Sequence, residues 1–160
     1  MKTLNCIILL TLFSSTVFAQ NTKRWGFSED QGIYWYVKKG STHRDHIEMS
    51  GLQVSAVVDY GVDDNRELSM KKKLVFPMLR TIPNNTHASL IVDFNDPGQL
   101  EIKVNGSKLQ EYPQSFGLKG KLTVNSTTNS QLETQRTIFP SVDKPALIEI
   151  ITLKNKGTTP

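Results

Sequence analysis

The chain has 160 residues, with 19 Lys and Arg against 15 Asp and Glu, a formal charge of +4 and 38% hydrophobic residues. That balance excludes disorder of the low-hydrophobicity, high-charge kind, and the length excludes large scaffolds such as a (β/α)8 barrel of about 250 residues. Four excess charges, without a basic stripe or recognition motif, also exclude a dedicated nucleic-acid binder.

Met1-Lys2-Thr3 places one positive charge ahead of the apolar run Cys6-Ile7-Ile8-Leu9-Leu10-Thr11-Leu12-Phe13, and Val17-Phe18-Ala19 follows. Charge, apolar core and small residue in that order are the parts of a secretory signal peptide. The run is shorter than the about 20 residues a membrane-spanning helix needs. Residues 1–19 are therefore expected to be cleaved after Ala19, leaving one domain over 20–160 that is secreted or periplasmic and has no membrane span. The single cysteine, Cys6, leaves with the signal, so the mature chain has neither a disulfide nor a thiol nucleophile.

From there the dominant hydrophobic period is two. Ile33, Trp35 and Val37 alternate with Tyr34, Tyr36 and Lys38. Leu52, Val54, Ala56, Val58 and Tyr60 share a parity, as do Leu68, Met70, Leu74 and Phe76. Leu90–Phe94 reads as a short strand, Leu100, Ile102 and Val104 oppose Glu101 and Lys103, and Leu118, Leu122 and Val124 oppose Lys119, Lys121 and Thr123. Leu132–Phe139 is extended and mostly polar, as an outer strand would be. Ala146–Leu153 is apolar on both parities, which predicts burial on two sides. Alternation over four to eight residues marks half-buried strands.

Asp63-Asp64-Asn65, Asn95-Asp96-Pro97-Gly98 and Asn105-Gly106 are turn clusters. Asn105-Gly106 gives the strongest hairpin signal, because Asn-Gly accepts positive φ at both central positions. No window has helical spacing. The fold class predicted is all-β, an antiparallel β-sandwich of about eight strands. A strand buried on both sides near residue 153 needs neighbours on both edges. The expectation is thus that the sandwich is incomplete at the C-terminus and continues in a longer parent protein, the alternative being a closing strand paired with earlier ones.

Several polar and aromatic groups are candidates for function. His43, Asp45, His46 and Glu48 form the densest cluster of chemically capable side chains, within a stretch that reads as a polar loop entering the strand at Leu52. Imidazole and carboxylate together suit zinc. Strand alternation opposes that reading, since His46 and Glu48 share a face from which Asp45 points away, so no metal or other cofactor is assigned. Trp25, Tyr34 and Tyr36 are candidate sugar-stacking rings, because pyranose C–H faces pack on aromatic rings. Trp35 reads as core. Lys71-Lys72-Lys73 reads as a solvated edge. Phe76–His87 is non-periodic, with Pro77 and Pro83, and reads as an ordered crossing loop whose Arg80 could hold a carboxylate bidentately.

Asp45-His46-Ile47-Glu48-Met49-Ser50-Gly51, the stretch Phe76–Leu90, and Ile138–Glu149 running into Leu153-Lys154-Asn155-Lys156-Gly157 resemble the N-terminal β-sandwich region of secreted bacterial six-hairpin glycoside hydrolases of the α-L-rhamnosidase-like kind. The resemblance spans most of residues 25–157. It implies a catalytic α/α barrel beyond residue 160 that carries the two carboxyl groups glycoside hydrolysis needs, so no catalytic residue is carried over. It also implies that His43, Asp45, His46, Glu48, Arg80 and His87 belong to loops at the rim of the substrate cleft or against the barrel. The partner expected is then a glycan or the absent catalytic domain. The competing expectation is a free-standing secreted carbohydrate-binding module.

Overall fold

The computed structural model of the chain describes residues 24–38, 40–80, 82, 89–94 and 101–157; residues 1–19, which read as a signal peptide in the sequence, and His87 lie outside them. Twelve strands occur among the described residues: β1 (Gly26–Phe27), β2 (Ile33–Tyr36), β3 (His43–Ser50), β4 (Ser55–Val62), β5 (Leu68–Arg80), β6 (Ser89–Asp93), β7 (Lys103–Val104), β8 (Ser107–Lys108), β9 (Glu111–Leu118), β10 (Leu122–Thr128), β11 (Leu132–Pro140) and β12 (Leu147–Asn155). A six-stranded sheet runs β1-β2-β9-β10-β11-β12, a four-stranded sheet runs β3-β4-β5-β6, and β7-β8 is a separate hairpin. Every pairing is antiparallel. No helix among the described residues is long and apolar enough to cross a membrane.

The class is the one the alternation predicts, a β-sandwich-like pair of antiparallel sheets, with more strands than the expected eight. Besides the short β1, the alternation misses β3 and β9, while β8 is the second arm of the hairpin that Asn105-Gly106 signals. β3 is the stretch that reads as a polar loop. Its odd positions His43, Ile47 and Met49 are buried or half-buried while Arg44, His46, Glu48 and Ser50 are exposed. β9 hides its period because a bulge interrupts it: Asn125 pairs with Ser115 but Ser126 pairs with Pro113, leaving Gln114 as the extra residue. A bulge shifts the inward parity by one. Phe116 therefore faces the core from one half of β9, and Pro113 and Glu111 from the other.

Between the sheets, Trp35, Phe116, Leu122, Val124 and Ile138 meet Val54, Ala56, Val58, Tyr60 and Leu74. Phe116 is fully buried, stacked on Trp35 at 5.4 Å and tilted against Tyr60 at 5.2 Å. Asn105 (φ 51°) and Gly106 (φ 81°) turn the β7-β8 hairpin in the left-handed region, as Asn-Gly predicts. Leu52 departs from its expected face: it lies in the bend before β4 and is 77% exposed.

Two strands exchange the roles their composition suggests. The mostly polar β11 is internal, with Thr134, Arg136 and Ile138 buried. The apolar β12 is the edge, with Ile148, Ile150 and Leu153 exposed. The reason is a group of ions between the sheets. Arg136 donates from Nε to both Glu111 carboxylate oxygens at 3.0 Å and from Nη2 to Glu111, and its Nη1 donates to Glu149 at 2.6 Å. Lys72 donates to the other Glu149 oxygen at 2.5 Å, and Thr134 Oγ1 donates to Glu111 at 2.8 Å. β11 can thus be polar and internal because its inward polar groups are matched. The apolar residues of β12 are divided, with Leu147 packed on the core and Ile148 paired beside Phe139 on the outer surface.

Lys72 is likewise not part of a solvated edge. β5 lies between β4 and β6, and the Lys72 side chain, 14% exposed, points between the sheets. The segment after Phe76 also differs from the expected crossing loop, because β5 continues to Arg80. Its pairing with β6 shifts register between Phe76 and Arg80, where Pro77 has no N–H to give the ladder.

Burial pushes the Glu149 carboxyl up, but Lys72 and Arg136 outweigh it and hold it below the ordinary 4.5. Its charge therefore contributes stability above pH 4.5 that is lost as the pH falls through the lowered folded value. Burial similarly works against the Arg136 charge, and Glu111 with Glu149 outweighs it to raise the pKa.

Candidate functional site

The outer surface of the six-stranded sheet carries an ordered arrangement of side-chain hydrogen-bonding groups. Parity assigns it Tyr34 and Tyr36 from β2, Ser115 and Gly117 from β9, Thr123 and Asn125 from β10, Gln135 and Thr137 from β11, and Ile150 and Thr152 from β12. Strand register aligns these residues in two rows that cross the strands. One row runs Tyr36, Ser115, Asn125, Gln135, Thr152, each directly opposite the next. The other runs Tyr34, Gly117, Thr123, Thr137, Ile150. Four strand spacings give each row a length of about 19 Å.

The first row is a hydrogen-bonded rail. Gln135 Nε2 donates to Asn125 Oδ1 at 2.9 Å, and Asn125 Nδ2 donates to Ser115 Oγ at 3.0 Å. Each bond uses one amide proton and one acceptor lone pair, so both amides keep capacity for a further partner. The rail fixes their orientation in the free protein, the kind of preorganisation that lowers the ordering cost of any binding event. A hollow of about 440 Å3 lies along the rail, bordered by Gln114, Asn125, Thr127, Gln135 and Thr152.

The rings stand at one end. Tyr36 is 67% exposed and meets Tyr34 edge-on at 5.0 Å. A Cβ at Gly26 would lie 2.9 Å from the Tyr34 ring, so that glycine is what lets the ring rest over β1. Trp25 does not join them. It is half-buried on the inward side and packs on Trp35 at 6.3 Å.

The remaining sequence candidates divide by parity and by position. His43 is buried at the start of β3, its ring 4.2 Å from Trp35, while Asp45 Oδ2 lies 3.8 Å from His43 Nε2. His46 and Glu48 are exposed on the opposite face of the strand. Arg80 ends β5, its backbone paired with Ser89, away from all four. Among the described residues no three His, Cys, Asp or Glu side chains gather as a metal-binding group.

His43 borders a cleft of about 530 Å3 with Arg24, Arg44, Asp59, Asp63 and Lys71. Among the described residues its Nε2 has no hydrogen-bond partner, and the Arg24 guanidinium sits 5.1 Å over the Trp35 ring that packs on it. Burial first, then Arg24, lowers the imidazole pKa from 6.5, with Asp45 opposing. The unfolded chain takes up a proton near 6.5 while the folded chain resists it. Stability is therefore full above pH 6.5 and falls as the pH drops from there toward the lowered folded value. Urea-denaturation midpoints of the wild type should decline across that interval, and a His43→Phe variant should lose that part of the decline.

Reading for single functional residues misses Ser115, Asn125, Gln135 and Thr152. Nothing about each is unusual in the sequence, and only the register of four strands aligns them. The one available signal is the polar composition of Leu132–Phe139.

The fold and this surface define an antiparallel all-β sandwich-like domain with an aromatic and amide outer face. No protein-family model matches the chain, nor does any curated protein or solved structure.

Proposed function

We propose that the chain is a secreted or periplasmic, non-catalytic β-sandwich that binds glycan on the outer face of its six-stranded sheet. The observation that carries this reading is the crossing row that joins Tyr36 to the Ser115-Asn125-Gln135 rail. Sugars need both an apolar surface for their C–H groups and oriented amides or hydroxyls for their O–H groups, and the row supplies both side by side. The signal-like residues 1–19 support export to a compartment where extracellular polysaccharide is met.

Titration of the purified protein against a panel of soluble polysaccharides tests the reading. At least one should bind, and Tyr36→Ala should weaken that binding by roughly two- to tenfold, the effect of losing about 0.5–1.5 kcal/mol of ring contact. Saturable binding untouched by Tyr36→Ala and by Gln135→Ala would place the ligand elsewhere and refute it.

A second reading is favoured by one feature. Val142, in the connection before β12, and Ile148 and Ile150 on β12 are exposed, a surface that a neighbouring domain would cover. In that reading the sandwich packs on the catalytic α/α barrel of a longer glycoside hydrolase and guides glycan toward it.

A further inference from the structure

We infer that the ligand is a neutral, linear glycan lying across the strands in the low row over Gly117, Thr123 and Thr137, with its hydroxyls turned to the rail. This rests on the glycan-binding reading above and adds the path and the charge class of the ligand.

Relief gives the path. Among the described residues, a Cβ built at Gly117 meets nothing nearer than the Thr123 Cβ at 4.0 Å, so the space they leave above this glycine is open. The next two positions of the row are threonines, short side chains on a half-buried surface. Tyr34, at the head of the row, rests over Gly26 on β1 and so leaves Gly117 uncovered. The longer amides of Asn125 and Gln135 flank this low floor on one side and keep donors and acceptors free along it. A chain laid there would meet aromatic carbon at one end, amides along its flank and Ile150 at the other end.

Charge gives the class. Ser115, Asn125, Gln135, Gly117, Thr123 and Thr137 are all uncharged, and charged groups stand at the borders only. Lys119, paired with Asp30 at 2.8 Å, and Lys121 are exposed at the β9-β10 turn, and at the far side Glu133 is paired with Lys156 at 3.3 Å near Lys154. An acidic polymer would need cations facing its carboxylates, whereas a neutral one needs the amides and hydroxyls that are present.

The test uses the purified protein, neutral linear polysaccharides (mixed-linkage β-glucan, xylan and galactomannan) and acidic ones (polygalacturonate and hyaluronate), at low and high salt. A neutral polymer should bind with an affinity that salt leaves unchanged. Gly117→Val should raise its Kd by about tenfold or more at an unchanged or higher Tm, because valine suits a strand better than glycine. Gln135→Ala, at an exposed position, should weaken binding several-fold, and Ser50→Ala, exposed on β3 of the other sheet, should bind like wild type. Two results would overturn the inference and leave the glycan-binding reading standing: binding confined to the acidic polymers and lost in high salt, or wild-type affinity in a well-folded Gly117→Val. Failure of every polysaccharide to bind would overturn both.

Discussion

Replacing Arg136 with alanine should lower the unfolding free energy by about 3–5 kcal/mol, the usual cost of leaving buried partners of an ion pair uncompensated. Arg136 is the hub through which Glu111, on β9, and Glu149, on β12, are both neutralised. Among the described residues, its removal leaves the Glu111 carboxylate with Thr134 as its one hydrogen-bond partner and Glu149 with Lys72. With a typical slope of about 2 kcal/mol/M, the urea midpoint should fall by roughly 2 M. Lys72→Met should cost less, since Glu149 retains Arg136. A loss under about 1 kcal/mol for Arg136→Ala would mean that water or rearranged side chains satisfy both glutamates.

The second large effect is expected at Phe116. Its ring is wholly enclosed between the Trp35 and Tyr60 rings, and it also meets His43 at 6.4 Å. Truncation to alanine removes apolar burial and leaves a cavity that rigid aromatic neighbours cannot collapse into. The expected loss is about 3–5 kcal/mol, seen as a fall in Tm of roughly 10–15 °C. Near-ultraviolet circular dichroism should lose intensity as Trp35 gains freedom. Phe116→Leu should recover most of the stability, because it keeps most of the volume.

The all-β class was legible because alternation is a local property. Val54, Ala56, Val58 and Tyr60 are buried in register with their period, and Asn105-Gly106 turns as its chemistry dictates. What escaped depends on partners distant in sequence. Lys72 reads as a surface lysine until Glu149, 77 residues on, is seen to receive it. The apolar β12 reads as interior because composition reports solubility in the core and carries no information about sheet order. β3 reads as a loop because His43, Asp45 and the alternating Ile47 and Met49 combine polar and apolar groups on one inward face. The candidate surface was legible in its rings and not in its rail. Tyr34 and Tyr36 stand out by residue type, whereas Ser115, Asn125 and Gln135 acquire meaning from cross-strand alignment alone.

The single extra residue at Gln114 divides the labour within β9. On one side of it, even-numbered Phe116 addresses the interior while Ser115 and Gly117 address the outside; on the other, odd-numbered Pro113 and Glu111 turn inward. A strand of eight residues is thereby two modules with independent rules of substitution. Mutations that retune the exterior half leave the electrostatic anchor at Glu111 undisturbed, so the outer face can diversify among descendants of this chain without reopening the question of how its two layers stay together.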